Sequence, residues 1–138
     1  MRKFTLLILL FTFYSFFLKA EVVKSISILG NKRVSSETVK LYGDININKD
    51  YTEKDLNKIL TNLYSTNFFE DVKIELINNV LKINLTEYPV ISQLIIIGEP
   101  KKKYSDEIKK IIQLKQKSSF IKTNLSKDVD TIKKLYSS

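Results

Sequence analysis

The chain contains no histidine and no cysteine among its 138 residues, so the commonest general base and the commonest thiol nucleophile are both missing. A Ser with Lys pair is the one nucleophilic arrangement left. Its three glycines form neither a nucleophile elbow nor a glycine-rich phosphate loop. The acidic residues are scattered over helix surfaces, which gives paired-carboxylate chemistry no site. Without cysteine there is no disulfide framework, no thiolate metal site and no lipid-modified N-terminus. The residue types exclude most enzyme classes, call for no cofactor and no metal, and direct attention to binding.

The charge narrows the kind of binding. The formal net charge is +8. Leaving out Arg2, Lys3 and Lys19 lowers the basic residues from 23 to 20 against 15 acidic ones, a balance of about +5. Arg33 is then the sole arginine, and forked contacts to phosphate and guanine favour arginine over lysine. The lysines are spread along every segment, as on a solvated surface, so the expectation is no nucleic-acid partner.

At the N-terminus, Arg2 and Lys3 precede an apolar run from Phe4 to Leu18, and Ala20 follows. This is the layout of a secretory signal peptide, expected to be cleaved between Ala20 and Glu21. Lys19 ends the run short of the roughly 20 apolar residues that a spanning helix needs. Export without disulfides suits a bacterial periplasm.

The remaining residues repeat themselves. Val22 to Leu29 nearly alternate and read as a strand closed by Gly30 and Asn31. Ser35 or Ser36 caps a short helix through Tyr42, which Gly43 ends. Thr52 with Asp55 forms a capping box, and Leu56, Ile59, Leu60, Leu63 and Tyr64 put one helical face in a core. Asn67 takes the left-handed position that ends that helix. Val72, Ile74 and Leu76 alternate with Lys73 and Glu75, Asn78 and Asn79 make a tight turn, and Leu81, Ile83 and Leu85 alternate back. Three strands and two amphipathic helices give an α+β fold in two layers. The order restarts after Pro89. Ile96, Ile97, Gly98 match Ile28, Leu29, Gly30, and Leu135, Tyr136, Ser137 match Leu63, Tyr64, Ser65, with the offset drifting from 68 to 72 residues. Leu94 to Ile97 is expected as a strand, Ser105 to Leu114 as a helix, and Leu125 to Tyr136 as a second helix, with no hairpin following.

The order strand, helix, helix, strand, strand, with Ile28, Leu29, Gly30, Asn31 closing the first strand and Leu63 to Val72 joining helix to strand, resembles a POTRA (polypeptide transport-associated) domain. The tandem behind a signal peptide and the junction Glu87, Tyr88, Pro89, Val90 are most similar to the N-terminal end of the BamA family of outer-membrane protein assembly factors. The family's glycine before the aromatic pair is Asn67 here. The resemblance implies a β-α-α-β-β module, a three-stranded mixed sheet under two helices, over 21–89, then an incomplete second copy over 90–138. It also implies a periplasmic location, with membrane association only through a C-terminal β-barrel that this chain lacks. The implied partners are unfolded outer-membrane protein clients and other assembly-complex subunits. In the family topology the first hairpin strand lies at the sheet edge, here Val72, Lys73, Ile74, Glu75 and Leu76, where a client strand can be added; a merely blunted edge is the competing reading. A two-partner secretion transporter, a cell-division scaffold and a free-standing periplasmic binding protein are the alternative users of such a module. Tyr51 and Tyr88 are candidates to rim a contact between consecutive modules, and Phe68 and Phe69 are expected in core and hinge packing.

Overall fold

The structure, a computed structural model, describes residues 21–137. The expected signal segment, and with it Ala20, lies outside the described residues.

The first unit runs β1 (Glu21–Val22), β2 (Ser25–Leu29), α1 (Ser36–Gly43), β3 (Asp50–Tyr51), α2 (Glu53–Ser65), β4 (Phe69–Ile77) and β5 (Val80–Glu87). The main sheet has the order β2-β5-β4, with β2 parallel and β4 antiparallel to β5. It is the three-stranded mixed sheet expected, with its central strand last in sequence. The expected single strand from Val22 to Leu29 is instead two. Glu21–Val22 pairs with Asp50–Tyr51 in a separate small sheet, and Val23, between β1 and β2, is fully buried. Two-residue strands have no periodicity to read, and a buried Val within an alternating run looks like any other core position.

Local chemistry explains each helix end. Ser35 caps α1 by accepting from Thr38 N, and Asp55 and Thr52 close a reciprocal capping box at α2. Asn67 has φ 58°, the left-handed conformation expected of it. At the end of α1 the left-handed residue is Asp44, at φ 55°, and Gly43 is still helical. A Cβ at Gly43 would lie 2.5 Å from the Ile45 side chain, so packing rather than φ demands glycine there.

The helices cover one sheet face. Val39, Ile59 and Leu63 pack on Phe69, Val72, Leu81, Ile83 and Leu85. Fully burying an aliphatic or aromatic side chain is worth about 1.5–3 kcal/mol, so Leu63, Leu81 and Ile83, each fully buried, are the positions on which this layer pairing depends. Tyr51 joins the same core, 4% exposed, with its hydroxyl accepting from Asn46 N at 2.8 Å and donating to Asn46 O at 3.1 Å.

The second unit contains α3 (Lys102–Ile111) and α4 (Lys122–Ser137). Two expectations change here. The third helix begins three residues before Ser105, at Lys102, with Lys101 as its N-cap. It stops short of Leu114 because the Asp128 carboxylate, buried on α4, takes the amides of Gln113 at 2.7 Å and Leu114 at 2.9 Å. In addition, Leu94–Ile97 is not a strand: the described residues offer it no ladder partner, and the nearest pairing is an isolated bridge from Val90 to Ser119. The segment still alternates, with Leu94 and Ile96 half-buried and Ile95 and Ile97 exposed.

The repeat is nonetheless physical. Gly30 and Gly98, aligned in the sequence, have φ 87° and 88°. At Gly30 a Cβ would meet Leu85 O at 1.9 Å, so the central strand forbids a side chain; at Gly98 nothing lies within 4 Å.

Candidate functional site: a sheet edge and the junction beside it

The turn decides which backbone groups of β4 are free. Asn78 and Asn79 both have positive φ (52° and 64°), the signature of a two-residue type I′ hairpin. Such a turn makes Ile77 and Val80 a hydrogen-bonded pair, and alternation along an antiparallel ladder sets the rest. Glu75 opposite Lys82 and Lys73 opposite Asn84 therefore point their N–H and C=O groups at β5. Leu76, Ile74 and Val72, opposite Leu81, Ile83 and Leu85, point theirs outward. Among the described residues β4 pairs with β5 alone, so this outward row is open except where Tyr64 takes the Val72 N–H.

The five candidate edge residues thus divide by role. Val72 is buried and Ile74 and Leu76 are half-buried under the helix layer, while Lys73 and Glu75 are exposed on the other face. Lys73 reaches Asp71 at 3.6 Å, a solvated pair of little energetic weight. A register shift between Phe69 and Asp71 leaves Glu70 as the extra residue of a bulge, which limits the regular edge toward the N-terminus. Tyr64, in the last turn of α2, accepts a hydrogen bond from Val72 N at 3.1 Å. β2 is the other outer strand, an edge that the sequence reading did not consider.

The junction is built around Glu87. Its side chain is 7% exposed, and its carboxylate accepts from the amides of Lys32, Arg33 and Val34 at 2.8, 3.0 and 3.0 Å. Arg33 Nε lies 3.1 Å from the same carboxylate, and Arg33 Nη2 donates to Tyr88 O at 3.0 Å. Burial pushes the Glu87 carboxyl up; the amides of Val34, Lys32 and Arg33, and then the Arg33 charge, outweigh it and hold the pKa below the usual value. A three-amide nest normally suited to an anion is here filled by the chain's own carboxylate.

Beyond Glu87 the chain is held on both sides. Tyr88 N donates to Phe68 O, Phe120 N to Pro89 O, Ile91 N to Ser118 O, and Lys117 N to Ile91 O. Tyr88 and Pro89 line a cleft of about 350 Å³ with Phe120 and Ile121 from the second unit. Val90 is exposed apart from its bridge to Ser119. Tyr88 therefore lines the cleft beside the second unit, whereas Tyr51 is a core residue of the first unit. Its burial follows from β3, the element that sequence periodicity did not show. Phe69 is core at 1% exposed, and Phe68 packs edge-on against Tyr42 with ring centres 6.0 Å apart. Glu21, the other half of the expected cleavage site, is the first residue of β1.

Sequence reasoning missed the specific use of Glu87, Asp128 and Tyr64. Glu87 had a signal, because a carboxylate one residue before an aromatic and a proline, at the end of a strand that packs on a Gly30 turn, has backbone amides within reach. Asp128 stood out only as an acid among apolar helix positions.

Comparison with known proteins agrees with this geometry. No family model matches the chain. The outer membrane protein assembly factor BamA of Neisseria meningitidis serogroup B is 30% identical over 117 residues, and that of Neorickettsia risticii is 28% identical over 124. These alignments take in 83% and 90% of this chain. The chain matches POTRA segments of the BamA family. The chain spans only 15% and 17% of the two curated relatives' lengths. A solved structure of POTRA domains 1–3 from the periplasmic domain of Omp85 of Anabaena superposes with a TM-score of 0.53 at 16% identity, covering 85% of this chain and 51% of that one. It shows the fold: the mixed sheet and paired helices are those of a POTRA module.

Proposed function

We propose that residues 21–89 form a POTRA module that works in the periplasm as part of an outer-membrane protein assembly factor, and that 90–138 carry part of a second. Residues 1–20 act as the export signal, removed between Ala20 and Glu21. The module takes extended segments of unfolded outer-membrane proteins at β4, residues Val72 to Leu76, by strand addition, and Glu87 to Val90 set the angle to the next module. Other subunits of the assembly complex are the remaining partners. Attachment to the outer membrane would come from the barrel of the full-length family. The reading assigns no catalysis and no cofactor.

The observation that carries this is the outward row of β4, open at Ile74 and Leu76 among the described residues. Backbone pairing gives affinity with little dependence on client sequence, which a factor handling many clients needs. Charged Lys73 and Glu75 on the exposed face discourage self-association of two such edges, so the same residues keep the edge open without leaving it sticky.

The test is Ile74→Pro. The Ile74 N–H points outward, so proline there removes a docking donor while the ladder bonds of Lys73 and Glu75 to β5 stay in place. With folding checked by circular dichroism, affinity for a short end-capped peptide alternating valine with threonine and lysine should fall roughly tenfold or more. Unchanged affinity in a folded variant would sink the proposal.

A further inference from the structure

The outward row of β4 is not uniform, and the difference lies in one hydroxyl. Tyr64 Oη accepts from Val72 N at 3.1 Å and donates to Asp71 Oδ1 at 3.5 Å. Val72 stands opposite Leu85 in a position whose N–H faces away from β5, so Tyr64 occupies the first outward donor of the regular edge. Just before it, the bulge at Glu70 breaks the spacing. The next outward groups, those of Ile74 and Leu76, have no such cover from α2. Tyr64 is 42% exposed at the end of α2, so its hydroxyl holds this donor at the surface, where an added strand would reach it.

We infer that Tyr64 is a register stop: it confines an added strand of extended, unfolded polypeptide to the stretch from Ile74 to Ile77. This rests on the docking reading above and deepens it. A strand that continued toward Val72 would bring a carbonyl to a donor already in use. The docked segment is therefore short, engaging the amides of Ile74 and Leu76. Its exposed-face neighbours are Glu75 and Ile77, of which Ile77 is 44% exposed. A client strand is thus offered one charged and one apolar contact on that face. A short footprint with two outward donors gives weak, readily exchanged binding, in keeping with a site that holds successive segments of a chain rather than one ligand.

Tyr64→Phe keeps the ring and deletes the acceptor, so amide exchange and peptide titration, both followed by NMR on the whole chain, separate the possibilities. In the free protein the Val72 amide should exchange roughly twofold to tenfold faster in the variant, the loss of one hydrogen bond. With the valine, threonine and lysine peptide, the amides of Ile74 and Leu76 should respond in the native protein and that of Val72 should not. In Tyr64→Phe, Val72 should join them, with affinity roughly twofold to tenfold tighter. A Val72 amide that responds to peptide in the native protein as strongly as Ile74 overturns the register stop and leaves edge docking standing. Val72 exchange that is identical in the two free proteins also overturns it. If no β4 amide responds in either protein, the docking reading falls and the register stop falls with it.

Discussion

Replacing Glu87 by glutamine should show how the module end is fastened. The carboxylate gathers three backbone amides from the loop between β2 and α1 and one guanidinium nitrogen. Removing the charge while keeping the shape leaves an amide that can face the donors with one oxygen only. Charge-assisted hydrogen bonds contribute about 1.5–3 kcal/mol, and because Lys32 and Arg33 are exposed, water replaces part of what is lost. The expected cost is about 2 kcal/mol for the set, a drop of roughly 8–15 °C in Tm for a domain of this size. Arg33→Ala should cost less, under about 1 kcal/mol, since the Arg33 side chain is 44% exposed and its pair with Glu87 is screened. The pH dependence has a definite sign. The folded pKa of Glu87 lies below its ordinary value, so its stabilisation is complete above the unfolded value, about 4.3, and is lost as pH falls from there through the folded pKa. Urea unfolding of native protein and Glu87→Gln at a series of pH values gives the comparison: the difference between them should shrink over that acid window. A glutamine variant within about 0.5 kcal/mol of native, or an Arg33→Ala variant costlier than Glu87→Gln, would refute the amide-nest reasoning.

The two aligned glycines should respond differently to alanine. Gly30→Ala forces a Cβ into Leu85 O and should cost more than about 3 kcal/mol or prevent folding, whereas Gly98→Ala bears only the positive-φ strain of about 1–2 kcal/mol; thermal melts of both variants check this. Asp128→Ala orphans the amides of Gln113 and Leu114 and should destabilise the second unit by about 2–4 kcal/mol, seen as faster exchange in α3 and α4 with the first unit unchanged. Thr52→Ala opens the capping box of α2 and should lower stability by about 0.5–2 kcal/mol in urea unfolding.

Where the chain carried a strong local code, the fold could be read from it. Thr52 and Asp55 specify the start of α2 by chemistry that needs no tertiary context, and Asn78 with Asn79 fixes the hairpin and therefore the register of β4 on β5. Elements that exist only through partners were not legible. β1 and β3 are two residues each and are defined by each other, so Tyr51 could not be assigned to the core from its neighbours in sequence. Leu94–Ile97 has the alternation of a strand, yet alternation supplies only a face. Pairing needs a second strand, and the described residues around it provide helices. The edge position of Val72 to Leu76 came from the family resemblance and not from local pattern, and the capture of the Val72 amide by Tyr64 depends on where the end of α2 meets the sheet edge.

The most direct measurement is an amide map of the whole chain during titration with the strand-forming peptide. Docking at β4 requires responses centred on Ile74 and Leu76, with the outer strand β2, Ser25 to Leu29, and the junction amides of Tyr88 and Ile91 unmoved. Responses confined to β2 or to the junction cleft, or none at β4 while peptide binds, would contradict it.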